Sequence, residues 1–87
     1  MPIPAFKDRP PESDKLTKYD ERHLVTYLRL LDAAEEDADW REAISIIFHL
    51  DPERNPARAK TIYDSHLARA RWMTEQGYRH LLRPSST

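Results

Sequence analysis

A single glycine, Gly77, stands in a chain of 87 residues, while seven prolines and a series of aspartates punctuate it. Tight hairpins and phosphate-cradling loops need glycine for positive backbone φ, so sheet with short turns and Gly-rich nucleotide loops are both disfavoured. Helices joined by proline and aspartate turns remain. The fold class expected is all-α: a small helical domain, a helix-turn-helix variant with an extended turn, preceded by a disordered arm.

The arm comprises residues 1–18. It holds Pro2, Pro4, Pro10 and Pro11 among charges and cannot repay its ordering entropy. Ile3 and Phe6 are its exceptions and have the chemistry to dock. The folded domain then spans 19–83, with a polar tail at 84–87. Helix 1 is expected from about Asp20 to Glu36, with Thr17 or Asp20 as N-cap. Its apolar face at 100° spacing gathers Leu24, Tyr27, Leu28, Leu31 and Ala34. Leu30 falls on the flank of that face and Val25 well outside it. Glu35, Glu36 and Asp37 crowd the C-terminal end, where acids oppose the helix dipole.

Asp39 caps helix 2, and Glu42 three residues on resembles the second half of a capping box. Trp40, Ala43, Ile44, Ile47 and Leu50 form its inward stripe, with Ile46 and Phe48 on opposite flanks. A helix apolar nearly all round is either central to the core or in contact with a partner. The linker Asp51-Pro52-Glu53-Arg54-Asn55 is longer than the three or four residues common between such helices. Asp51 suits the cap of a single turn, and Asn55 with Pro56 suits the start of helix 3. Helix 3 runs to Gln76, with Ala59, Ile62, Tyr63, His66, Ala70 and Met73 inward and Leu67 alongside. Gly77 stands where a left-handed C′ residue belongs. A last short turn or helix is expected at Tyr78 to Leu82, where Tyr78, Leu81 and Leu82 can fold back onto the core.

Nothing suggests catalysis. The four histidines are scattered, and no nucleophile elbow, phosphate loop or calcium loop is present. No cofactor, metal or small-molecule ligand is expected. His66 reads as a satisfied core histidine. Without cysteine there is no disulfide framework. The N-terminus lacks the pattern of a signal peptide, and no apolar run approaches a bilayer span, so a cytoplasmic, non-membrane monomer is the expectation.

Charge is divided along the chain. Twelve acids and seven bases precede Pro52, and three acids and seven bases follow it. Arg54, Arg58, Lys60, Arg69 and Arg71 on and near helix 3 are the candidate phosphate contacts if the domain reads DNA. Asp64 and Glu75 lie between them on the outer ridge and face any approaching phosphate. Counterion release needs unopposed cations, so strong nucleic-acid binding is not expected. The rival surface is apolar: Val25, Leu30, Ile46, Trp72 and Tyr78 are the candidate partner contacts. Trp72 either covers the arm or the final turn, or anchors a partner, as tryptophan often does at interfaces.

The segments Leu30-Leu31-Asp32-Ala33-Ala34, Trp40-Arg41-Glu42-Ala43, His66 through Met73, and Gly77-Tyr78-Arg79-His80-Leu81-Leu82 resemble a family long labelled only as a domain of unknown function. That family is carried on conjugative elements of proteobacteria, and the resemblance covers roughly 19–83. It implies a helix-turn-helix with an extended turn. Some members are the DNA-binding half of activators of excision and conjugative transfer. Others stand alone as antiactivators that bind an activator and repress transfer of an integrative and conjugative element. The implied partners are transcriptional activators, FseA and the quorum-sensing regulator TraR. Two other classes compete: a DNA-binding regulator using 56–76 as recognition helix, and a small structural adaptor.

Overall fold

The computed structural model describes residues 5–77, and its regular elements are all helical: α1 (Lys18–Arg22), α2 (Leu24–Glu35), α3 (Trp40–Phe48), α4 (Pro56–Trp72) and a π-helical turn, Met73–Gly77. The final turn expected at Tyr78–Leu82 and the tail at 84–87 lie outside the described residues. α2, α3 and α4 pack against one another, and α1 leans on α2.

Helix 1 of the sequence reading divides in two. Thr17 is the N-cap, and Asp20 at N3 completes a reciprocal capping box: Asp20 N–H donates to Thr17 Oγ1 at 3.2 Å and Thr17 N–H to Asp20 Oδ2 at 2.9 Å. His23 then departs from helical geometry, with φ −107° and ψ 18°. Its ring Nδ1 donates to the Tyr19 carbonyl at 2.8 Å, a local side-chain bond that competes with the regular ladder. α2 restarts at Leu24.

The end of α2 is a Schellman motif. Ala38 N–H donates to Ala33 O at 2.9 Å and Asp37 N–H to Ala34 O at 3.1 Å, with Asp37 left-handed at φ 60°. An aspartate there carries both the strain of that region and an unfavourable charge near the helix dipole. Asp37→Gly is therefore expected to stabilise the domain by about 1 kcal/mol, read as a higher urea midpoint with unchanged slope.

Asp39 caps α3 by accepting from Arg41 N–H at 3.0 Å, so the cap bond goes to N2. α3 ends at Phe48, two residues short of the expected Leu50, because His49 turns left-handed at φ 58°. In the linker Asp51 closes a turn onto Glu53 N–H at 2.9 Å, and Asn55 accepts from Arg58 N–H at 3.2 Å to start α4 behind Pro56. At the other end α4 does not continue to Gln76. Gly77 belongs to the π-helical turn, and among the described residues no glycine has positive φ.

The core is built from Tyr27 and Leu30 of α2, Ala43, Ile44, Ile47 and Phe48 of α3, Ala59, Ile62, Tyr63, Leu67 and Ala70 of α4, and Met73 of the π-helical turn, and His66 is buried as well. On α2 the buried stripe is rotated from the leucine face. Leu30 is 0% exposed, whereas Leu28 is 51% exposed. His23 and Thr26 take the inward positions that leucine counting assigns elsewhere. Residues 5–17 have no helix or strand, yet they lie along the helices rather than free of them. Phe6 meets Phe48 edge-on at 4.9 Å between ring centroids, and Pro10 is buried. Ile3 is outside the described residues.

Candidate functional site

Two surfaces and one buried cluster carry the polar and apolar chemistry left over from the core. The buried cluster joins α1, α2 and α4. Asp20, fully buried, accepts from Arg69 Nη2 at 2.6 Å, from Arg69 Nε at 3.0 Å and from the Tyr27 hydroxyl at 2.8 Å. Two further Arg69 donors reach the arm, Nη1 at Ser13 O (2.6 Å) and Nη2 at Lys15 O (3.0 Å). Burial pushes the Asp20 carboxyl up, but the Arg69, Thr17 and Tyr27 hydrogen bonds and the Arg69 charge together hold it below the usual carboxylate value. Hydrogen bonding to Asp20 raises Arg69 against the opposing effect of burial. Burial, then the Asp20 contact, raises the Tyr27 phenol.

Beside this pair His66 is 0% exposed. Its Nδ1 lies 2.8 Å from Ile62 O, which can only accept, so Nδ1 carries the proton. Nε2 then accepts from the Tyr19 hydroxyl at 2.6 Å, and the Tyr19 oxygen accepts from Lys7 N–H at 3.0 Å. The ring is thus satisfied as neutral imidazole. Burial drives its pKa down to about 4, with the Ile62 bond acting in the opposite sense. His66 is a core histidine wired to the arm.

The outer face of α4 is where a DNA reader presents its cations. Arg69 is not on it: the sequence reading places it among the outer cations, but it is 8% exposed and paired with Asp20. Arg58 is exposed and paired with Asp8 of the arm at 3.0 Å. Lys60 pairs with Asp64 at 3.1 Å and sits 5.2 Å from the Trp40 ring centroid. Arg54 and Arg71 are exposed. Among the described residues the ion pairs do not include Arg71 with Glu75, although both are exposed.

The apolar surface lies over α2 and α3. Val25 is 70% exposed and Ile46 54% exposed, and Leu28 joins them where the sequence reading had it inward. Arg29, Asp32, Glu36, Glu42 and Ile46 line a groove of about 250 Å³ between the two helices. Leu30 is removed from this candidate set by its complete burial. Trp72 is half-buried, its ring 4.0 Å from the Arg69 guanidinium carbon and beside arm residues 9–14. It sits on the arm-facing flank of α4. Tyr78 lies outside the described residues.

No sequence pattern announces the Asp20–Arg69 pair: Asp20 reads as a helix N-cap and Arg69 as an outer cation of helix 3. The one hint is positional. Arg69 lies seven residues after Ile62 and three after His66, close to the inward stripe. Among the described residues no helix is long and apolar enough to cross a membrane.

α3 and α4 pack on each other and are joined by a linker at 49–55, consistent with a helix-turn-helix variant with an extended turn. The chain belongs to the family described as the DNA-binding domain of a T6SS transcription factor, whose model matches residues 5–83. The match begins within the arm. No curated protein matches the chain. Transcription regulation is thereby the chain's functional class, and its family is not an enzyme class.

Proposed function

We propose that this domain regulates transcription by protein–protein contact, as an antiactivator that occupies a transcriptional activator. The supporting observation is the internal neutralisation of α4. Of five candidate phosphate contacts, Arg58, Lys60 and Arg69 are each paired with an acid of the same chain. A phosphate must displace those acids, which removes much of the counterion-release gain. Meanwhile Val25, Leu28 and Ile46 present apolar area to solvent, and Ile46 lines a groove that also carries Asp32, Glu36 and Glu42. The resemblance to conjugative-element regulators, and to the small antiactivator QseM in particular, points the same way. It names FseA and TraR as the activators to test.

A second reading has its own support, the family's description as a DNA-binding domain. On it, α4 enters a groove and Arg54 and Arg71 contact phosphate. The two readings separate in one experiment. Binding of the isolated chain to promoter duplex is followed by fluorescence anisotropy from 50 to 300 mM salt, beside pull-down with FseA or TraR. Protein contact predicts weak duplex binding and retention of the activator. Ile46→Asp with Val25→Asp is expected to weaken retention by at least about 2 kcal/mol, roughly thirtyfold, with the helical circular dichroism unchanged. Tight, salt-sensitive duplex binding and no retention of either activator would instead establish the DNA reading.

A further inference from the structure

The arm has the composition of a loose tail but the contacts of a strap. Its course follows one flank of α4, where Arg58, Ser65 and Trp72 recur at seven-residue intervals. The Asp8 carboxylate holds Arg58 Nε at 3.0 Å. The Asp8 carbonyl accepts from the Ser65 hydroxyl at 2.9 Å. Farther along, Ser13 O and Lys15 O take the two terminal nitrogens of Arg69. Pro10, Pro11, Glu12 and Asp14 arch beside Ala68 and Trp72. A segment without helix or strand, carrying three carboxylates at Asp8, Glu12 and Asp14 against one cation, Arg9, and laid on a cation-bearing helix, has the chemistry of a nucleic-acid backbone.

Two properties make this contact reversible rather than structural. The Arg58–Asp8 pair is about half exposed on both sides, 49% and 52%, a setting in which ion pairs contribute little. The arm also has no helix or sheet hydrogen-bond ladder of its own; along residues 8–14 its link to α4 is a few polar bonds and the seat of Pro10. The fixed points are elsewhere. Phe6 is lodged against Phe48, and Arg69 remains held by Asp20 with or without the arm.

We propose that residues 8–14 are an autoinhibitory acidic strap that occupies in cis the flank of α4 that would otherwise meet DNA phosphate. Lifting it frees Arg58 and uncovers Ser65, while the buried Asp20–Arg69 pair stays intact. The strap goes beyond antiactivation: it accounts for a domain of a DNA-binding family whose α4 flank is closed by its own chain, and it makes that closure a regulated state.

The test compares four proteins by anisotropy on a labelled 20-base-pair duplex across a salt series. They are the full chain, the triple variant Asp8→Asn with Glu12→Gln and Asp14→Asn, a charge-matched control Glu35→Gln with Glu36→Gln and Asp37→Asn, and Ser65→Ala. The triple variant keeps Phe6 and Pro10, and helical circular dichroism equal to that of the full chain checks that its fold is retained. The expected result is duplex affinity several-fold above that of the full chain, with the slope of log K against log salt steeper by about one, the mark of one recovered phosphate contact. Ser65→Ala shifts affinity in the same direction by less. The control, with the same net charge, gains less than the triple variant. Equal gains in the triple variant and the control would overturn the strap, because net charge alone would then account for them; so would no gain. The outcome is read as a difference between variants. Tight binding by the full chain therefore counts against the protein-contact reading without deciding the strap.

Discussion

Arg69→Ala is expected to unfold this domain or bring it close to unfolding. The substitution leaves Asp20 fully buried with its charge opposed only by the Thr17 amide and hydroxyl and the Tyr27 hydroxyl. Breaking a buried pair from one side costs about 3–5 kcal/mol, because the remaining charge is uncompensated. A domain of this size has only about 5–15 kcal/mol in total. In thermal denaturation the loss corresponds to a drop of more than about 12 °C. Asp20→Leu with Arg69→Met replaces both charges by apolar groups of similar reach and is expected to recover most of the stability. A melting temperature within a few degrees of the parent for Arg69→Ala would show that the pair does not hold α1 to α4. The result matters for function as well. Arg69 has the sequence position of a DNA contact, and an alanine scan that lost activity there would be misread as lost recognition.

The elements whose burial is apolar were readable from spacing, and those whose burial is polar were not. Along α4 and into the π-helical turn the series Ala59, Ile62, Tyr63, His66, Ala70 and Met73 marks the inward face, and all six are buried. The same spacing rule misplaces the face of α2. His23 and Thr26 are polar and so do not enter an apolar count, yet both are buried. Once those two positions are inward, Leu30 must follow and Leu28 must turn out. Leu30 therefore moves from candidate interface to core. The break at His23 and the left-handed residues Asp37 and His49 were likewise hidden, since no glycine marks them. On the surface, the Lys60–Asp64 pairing follows from four-residue spacing along one helix. Arg58–Asp8 joins residues fifty apart, and no local pattern announces it.

Acid is expected to weaken the fold in two separate windows, and His66 sets the first. Its folded pKa is lowered to about 4 from the ordinary 6.5, so between these values the unfolded chain binds a proton that the folded chain does not. Stability is then complete above about pH 6.5 and is lost as pH falls toward about 4. A depression of that size is worth on the order of 3 kcal/mol. The groups around the ring set the sign. His23 and the aromatic rings of Tyr19, Tyr27, Phe6 and Phe48 surround it. Asp20 and Asp8 favour its charged form but do not overcome its burial. Arg69, bound to Asp20, offsets that carboxylate. Protonation would also place a second donor, Nε2–H, against the Tyr19 oxygen that already accepts from Lys7, and so would loosen the root of the arm. Asp20 governs the second window. Its folded pKa is lowered, so its contribution is present above the ordinary carboxylate value and is lost below it. Urea midpoints measured at pH 7, 5.5, 4.5 and 3 separate the two. His66→Gln is expected to flatten the profile between pH 6.5 and 4 while leaving the steeper loss below pH 4. A parent profile already flat from pH 7 to 4.5 would mean that His66 titrates normally in the fold, contrary to its burial and to the Tyr19–Lys7 relay.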